Sequence, residues 1–281
     1  MEMRTVKLRT PGGDLDVALP PPGDVPSFYL FALHKSGSTL LNDMMAAALE
    51  RAGIPQIAIP EATFSAGLAE HTISNPEEIV FARGYCYRGF RRFPAYLGGF
   101  DLARQKKILL VRDPRDMAVS LYFSIAESHS MPAQGTLRDN LMAQRAQARA
   151  MGIDEFCIGR VAFIRSEFEG YEPILASETR IYRYEDVIFD KAAWLADMLA
   201  YLGVVLEPAA IARIAAANDI RPDRERPAEH VRQVAPGNHR KHLAPTTRDR
   251  LDREFSDILV RYEYAKPGAE AGPSHAYPYR P

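Results

Sequence analysis

Cysteine is scarce: the 281-residue chain has two, Cys86 and Cys157. Two are too few for a disulfide framework or a four-ligand zinc site, and they read as ordinary buried thiols in a reducing compartment. Net charge is also missing, since 35 Lys plus Arg stand against 36 Asp plus Glu, a formal charge of -1. That balance argues against bulk electrostatic binding to nucleic acid or anionic membrane, but leaves room for a local basic pocket for a small anion. No apolar run approaches the roughly 18 residues that span a bilayer. Residues 1–26 hold acids, prolines and glycines where a signal peptide needs an apolar segment. The expectation is a cytoplasmic protein with no membrane span and no nucleic-acid partner. Internal repeats are absent too, and the 47% hydrophobic and 25% charged content is that of a globular chain.

The stretch RTVKLRTPGGDLDVAL at 4–19 predicts two short strands about a Pro-Gly-Gly turn, and prolines at 20, 21, 22 and 26 mark a linker. Residues 1–26 therefore form an N-terminal hairpin and linker. From Phe28 an apolar run predicts a buried strand, followed by a polar turn and a helical stretch, LLNDMMAAALERAG. Further buried strands are expected at 78–82, 107–111 and 180–184, and helices at 115–127, 137–150, 154–169, 191–203, 207–217 and 246–262. Gly152, Gly170 and Gly203 stand at helix stops, and Asp190, Glu207 and Thr246 near starts. Strands alternating with helices predict an α/β domain over 27–265, with a central parallel sheet flanked by helices on both faces. The tail, 266–281, is rich in Pro, Gly and Tyr and is expected to be irregular. The charged, proline-broken stretch 218–240 has the length of a functional lid.

The first strand runs into ALHKSGSTLL, where small residues at Ser36, Gly37 and Ser38 let backbone N–H groups point inward and a helix begins near Thr39. Such a turn cradles phosphate through amide donors and the helix dipole. The nucleotide-hydrolysing pattern G-x-x-x-x-G-K-[ST] is only partly met, because Ala32 stands at the first glycine and Ser38 at the lysine. Lys35 lies three positions earlier, where it meets a different ligand atom, such as a bridging or leaving-group oxygen. The alternative is a capped helix with Lys35 solvated. The strand KILLV leads into Arg112-Asp113-Pro114-Arg115-Asp116 and a helix bearing Ser120, two turns along. Arg112 and Ser120 could hold a second phosphate group; alternatively Arg112 pairs with Asp116.

These residues resemble the P-loop sulfotransferases that use 3′-phosphoadenosine 5′-phosphosulfate (PAPS). The family's 5′-phosphosulfate loop, P-K-S-G-T-T-W, is similar to the segment from His34 to Leu40, and R-[ND]-x-[RK]-D-x-x-x-S is met at every fixed position from Arg112 to Ser120. A later Y-E-D matches Tyr184-Glu185-Asp186, and R-K-G-x-x-G-x-W-K-x-H is partly matched from Arg232 to His242 through Gly237, Arg240 and His242. The resemblance covers residues 28–262 and implies that Lys35, Ser36, Gly37, Ser38 and Thr39 hold the 5′-phosphosulfate. Arg112, Ser120 and Arg232 would hold the 3′-phosphate, Gly237 would be a further cofactor-binding residue, and Tyr184 would sit near the nucleotide. Leu40 replaces a tryptophan that stacks on adenine in cytosolic members, and Gln233, Val234 and His239 replace Lys, Gly and Trp, so no subfamily is assigned.

Sulfuryl transfer to a hydroxyl or amine needs a base at the acceptor and a cation at the departing oxygen. Lys35 supplies the cation. The histidine of cytosolic members is missing from the comparable stretch, taken as Arg83-Gly84-Tyr85. The protein-tyrosine branch uses a glutamate in G-E-E-T, and Glu61 in Ile59-Pro60-Glu61-Ala62-Thr63 occupies that place, so Glu61 is the first choice. Tyr85, His34 and His71 are alternates, and the other reading of Glu61 is a loop carboxylate that caps a turn or pairs with an arginine. The segment 83–100 interleaves four arginines with six aromatics. Three readings fit it: an acceptor pocket for an aromatic, sugar or anionic substrate, an RNA-binding surface, and, ahead of either, a solvated arginine face over buried aromatics. The scheme requires no metal. The rival readings are a P-loop kinase or nucleotide hydrolase using Mg-ATP, with Asp113 toward the magnesium, and a non-catalytic nucleotide-binding module. The N-terminal hairpin and tail could serve a homodimer.

Overall fold

The computed structural model describes residues 3–68, 73–128, 136–226, 229 and 232–265. The chain opens with strands β1 (Arg4–Thr10) and β2 (Gly13–Leu19), then β3 (Phe28–Ala32), helix α1 (Ser38–Arg51), β4 (Gln56–Ile57), α2 (Ile59–Ser65), β5 (Cys86–Phe90) and β6 (Lys107–Val111). Helices α3 (Pro114–Phe123), α4 (Thr136–Gly159), α5 (Val161–Gly170) and α6 (Glu172–Leu175) precede β7 (Thr179–Arg183). The described elements after β7 are helices: α7 (Tyr184–Val187), α8 (Lys191–Leu202), α9 (Pro208–Ala217), α10 (Asn238–His242), α11 (Pro245–Glu254) and α12 (Ser256–Arg261). Two compact units share these elements, the first made of 1–111 and 170–219, the second of 112–169 and 220–281.

In the first unit five strands form one parallel sheet in the order β4-β5-β3-β6-β7. Every residue of β3 (FYLFA) and β6 (KILLV) is buried, as expected for central strands covered on both faces. Tyr29 stacks on Phe31 and Tyr87, and Phe31 packs against Phe90, so the core beside β3 is aromatic. After β3 the chain builds β4 and β5 on one side, then crosses over to β6 on the other. The carboxyl end of β3 is therefore a topological switch point, where ligands bind in open α/β sheets. The hairpin β1–β2 pairs antiparallel from Arg4↔Leu19 to Thr10↔Gly13, as the Pro-Gly-Gly turn predicts. Asn75 satisfies its outer edge by accepting from Arg9 N at 2.8 Å and donating to Lys7 O at 2.9 Å.

One expected strand is misplaced. Residues 76–78 form a 3-10 turn opened by Pro76, and the strand that pairs with β3 is β5, eight residues beyond the predicted start. The 79–81 backbone is held by the Tyr87 hydroxyl instead, which accepts from Phe81 N at 2.7 Å and donates to Ile79 O at 2.8 Å. With the strand at Cys86–Phe90, the segment that follows it is Arg91-Arg92-Phe93, also without a histidine.

The second unit is helical. Asp113 caps α3 by accepting from Arg115 N at 2.9 Å, and Pro114 takes the first helical position, where no N–H is needed. A π-helical turn, Ser124–Ser128, extends α3. Gly152 is a stop as expected: its non-helical backbone (φ 78°, ψ 167°) divides α4 into two helical stretches. The predicted 246–262 helix is divided at Phe255 into α11 and α12. Within 218–240, the described residues before α10 form no regular element. The tail 266–281 lies outside the described residues.

Candidate functional site

In the first unit the loop after β3 is shaped by its backbone. Leu33 N donates to Leu110 O at 3.1 Å, fixing the loop to β6, and both Ser36 N (3.2 Å) and Ser36 Oγ (2.7 Å) donate to Leu33 O. The Ser36 hydroxyl thus closes the turn. Lys35 has φ 63°, one of two non-glycine residues with positive φ among those described, a conformation that costs energy and recurs at ligand-binding turns. Gly37 follows at φ 97° and opens α1. A Cβ here would stand 3.0 Å from the Tyr184 ring, a tight contact that adds to the preference for glycine set by the positive φ. Helix α1 has no capping side chain and no acidic residue in its first turn. Its first N–H groups are thereby suited to an anion. Tyr184, buried at the start of α7, packs on the loop at Gly37.

A hydrogen-bond route runs from this loop to Glu61. Asn42 Nδ2 donates to Ser38 O at 2.7 Å, and Asn42 Oδ1 accepts from Gly89 N at 2.9 Å, tying the first turn of α1 to β5. Next to Gly89, Arg88 donates from Nη1 to Glu61 Oε1 at 2.7 Å and from Nε to Gln56 Oε1 at 2.8 Å. Gln56 in turn donates to Ala46 O of α1 at 3.0 Å. Glu61 therefore pairs with an arginine, as its second reading expects, while its side chain stays 55% exposed and open to a substrate. Tyr85 is unsuited to proton removal, since its hydroxyl donates to Pro20 O at 2.9 Å and burial raises its pKa against the lowering effect of Arg4. His34 is half-buried in the loop, and His71 lies outside the described residues. Of the aromatics in 83–100, Tyr85, Tyr87, Phe90 and Tyr96 are buried. The arginine face over buried aromatics is the reading that fits them.

The second unit holds a separate group built on side chains. Arg112 is buried and follows β6 directly; Asp116, one turn along, is wholly buried. The Arg112–Asp116 ion pair, the alternative reading of Arg112, exists at 3.7 Å. Asp116 does more than pair: Oδ2 accepts from Gly237 N at 2.7 Å, and Oδ1 lies 2.9 Å from His239 N and 2.6 Å from His239 Nδ1. Burial alone would raise this carboxyl's pKa, but the bonds from His239 and the charge of Arg112 outweigh it and hold it below the ordinary carboxylate range. Gly237, at φ 86°, opens α10. Arg232 is buried, donates from Nη2 to Asn238 Oδ1 at 2.8 Å, and lies 4.2 Å over the Phe123 ring. Glu225 forms ion pairs with Arg232 and Lys241, and its Oε1 is 3.1 Å from His242 Nε2. Ser120 is half-buried, two turns along α3 from Arg112.

Arg112, Arg232 and Gly237 are thus joined through Asp116 and Asn238, and Gly37 and Tyr184 meet in the first unit. Asp116, Phe123, Glu225, Asn238 and Asn42 are absent from the sequence-derived site. For Asp116 a signal existed, because it is a fixed position of the Arg112–Ser120 motif, four residues after the arginine. A family model described as "Sulfotransferase domain" matches residues 93–258, more than half of the chain. The chain belongs to the sulfotransferase family. The matched region of this sulfotransferase includes Arg112, Ser120, Tyr184, Arg232 and Gly237 and starts after the loop at 34–39. No curated protein matches the sequence. Among solved structures, the mouse sulfotransferase SULT7A1 complexed with PAP is 13% identical, with 92% of this chain and 95% of that one covered at a TM-score of 0.51. A retinol dehydratase in a complex with retinol and PAP is 14% identical over 92% and 90%, at 0.50. These likenesses show the fold. No helix among the described residues is long and apolar enough to cross a membrane.

Proposed function

We propose that this sulfotransferase moves a sulfuryl group from PAPS to a hydroxyl or amine of a small-molecule or carbohydrate acceptor and releases adenosine 3′,5′-bisphosphate. The observation that carries the reading is the pair of buried arginines, Arg112 and Arg232, fixed through Asp116, Gly237 and Asn238. Buried guanidinium groups held in this way suit a phosphate dianion. The retinol dehydratase crystallised with retinol and PAP supports a small alcohol as acceptor in this fold. Arg112, Arg232, Ser120 and Gly237 would serve the 3′-phosphate. The amides of 37–39 and the Thr39 hydroxyl would hold the sulfonate and 5′-phosphate, with Ser36 closing the turn through Leu33 O and Tyr184 keeping the loop in shape.

In the transfer, the acceptor oxygen or nitrogen forms a bond to sulfur as its proton passes to the Glu61 carboxylate. The bond from sulfur to the bridging oxygen breaks, and its electron pair stays on the 5′-phosphate, where Lys35 stabilises the developing charge. Arg88 keeps Glu61 in place. Calorimetric titration with adenosine 3′,5′-bisphosphate, without metal, tests the reading against Mg-ATP. Bisphosphate should bind Lys35→Ala more weakly than wild type, because its 5′-phosphate carries the charge that Lys35 stabilises, and should lose about 100-fold with Arg112→Ala. Lys35→Ala should cut turnover by about 100-fold or more. Binding of Mg-ATP alone would overturn the proposal in favour of phosphoryl transfer.

A further inference from the structure

The cationic group around α10 already holds an anion, supplied by the chain itself. Glu225 precedes Arg232 in the chain, and its carboxylate faces Arg232, Lys241 and His242 together. Its side chain is 15% exposed, against 55% for Glu229 and 76% for Asp223, which pair with Arg226 at the surface. The three acids thus differ in kind: two belong to a solvated cluster, and one is drawn into a group of cations that includes a buried arginine. Removing a carboxylate from water is costly unless cations surround it, so Glu225 and this group stabilise each other.

Carboxylate and phosphate compete for the same guanidinium fork. We infer that Glu225 is an intramolecular competitor of the donor's 3′-phosphate, occupying the Arg232 group until the nucleotide displaces it. The inference rests on the assignment of Arg232 made above. A phosphate monoester brings about 1.5 to 2 negative charges and three acceptor oxygens, whereas the carboxylate brings a single charge and two oxygens. A nucleotide anchored by its other contacts can therefore expel Glu225. When the bisphosphate product leaves, Glu225 returns from within the chain at high effective concentration. The contact weakens product binding and keeps the cations paired between turnovers, so that free inorganic anions gain little there.

The test is calorimetric titration of adenosine 3′,5′-bisphosphate and of adenosine 5′-monophosphate into wild type, Glu225→Gln and Glu229→Gln. Glu225→Gln should bind the bisphosphate about tenfold tighter and the monophosphate, which has no 3′-phosphate, no differently. Glu229→Gln makes the same change in net charge at the surface and should leave both affinities within about twofold. Glu225→Asp, one methylene shorter, should give a smaller gain and serves where the glutamine variant does not fold. Unchanged or weaker bisphosphate binding by folded Glu225 variants would overturn the inference, since Glu225 would then only orient Arg232. An equal gain for the monophosphate would overturn it as well, as a general charge effect. Binding of bisphosphate by no variant, wild type included, would take down the assignment of Arg232 and the inference with it.

Discussion

The loop after β3 and the arginine group around α10 are both arranged for anions, but they are assembled in opposite ways. Residues 33–39 are contiguous and present backbone amides; their shape comes from positive φ at Lys35 and Gly37 and from the Ser36 bonds to Leu33. The arginine group collects Arg112, Asp116 and Phe123 from one part of the chain and Glu225, Arg232 and 237–242 from another more than a hundred residues away. A site of amides depends on dihedral angles and tolerates changes of side chain. A site of buried charges requires each charge to be balanced, so one carboxylate, Asp116, becomes its keystone.

Asp116→Ala should break the comparison most severely. It removes the buried carboxylate beside Arg112 and the acceptor of Gly237 N and His239, at a cost of about 3 kcal/mol in denaturant unfolding, with loss of bisphosphate binding. Gly37→Ala challenges the loop through conformation alone. It should cost about 2 kcal/mol and weaken binding, and adding Tyr184→Leu should restore part of that, because the 3.0 Å approach is relieved while the positive φ is not. The smallest effect concerns His242, whose imidazole is held down to about 4 by burial, then by the charges of Arg232 and Lys241. A folded-state value below the unfolded one means that the unfolded chain binds the extra proton first as pH falls. Its contribution is complete above about pH 6.5 and is lost as the pH drops toward 4. Measured by urea unfolding across that window, His242→Asn should lose about 1 kcal/mol less than wild type.

Much of the first unit was legible because its signals are local. An apolar run, small residues and a helical stretch in immediate succession specify β3, the loop and α1, and in the second unit the Asp113-Pro114 pair announces α3 in the same way. The apolar stretch 78–82 misled for the same reason. Its composition suits a strand, yet membership of the sheet depends on a partner, and β3 pairs with Cys86–Phe90 despite the arginine and glycine within it. The aromatics of 83–100 show the same limit: a tyrosine in a pocket and one in a core look alike until the ring's neighbours are known. Tyr87 turns out to stack on Tyr29 and to hold the 79–81 backbone.

The order of the elements, the phosphate-type loop with its displaced lysine and the arginine-led start of α3 follow from the sequence by itself, since capping, turn geometry and hydrophobic period act within a few residues. Only the tertiary structure decided that Asp116 joins Arg112 to Gly237 and His239, that Arg88 holds Glu61, and that Glu225 of all the acids in its stretch faces Arg232. Those contacts join distant positions, and a charge acquires its energy from whatever surrounds it after burial, which no local pattern encodes.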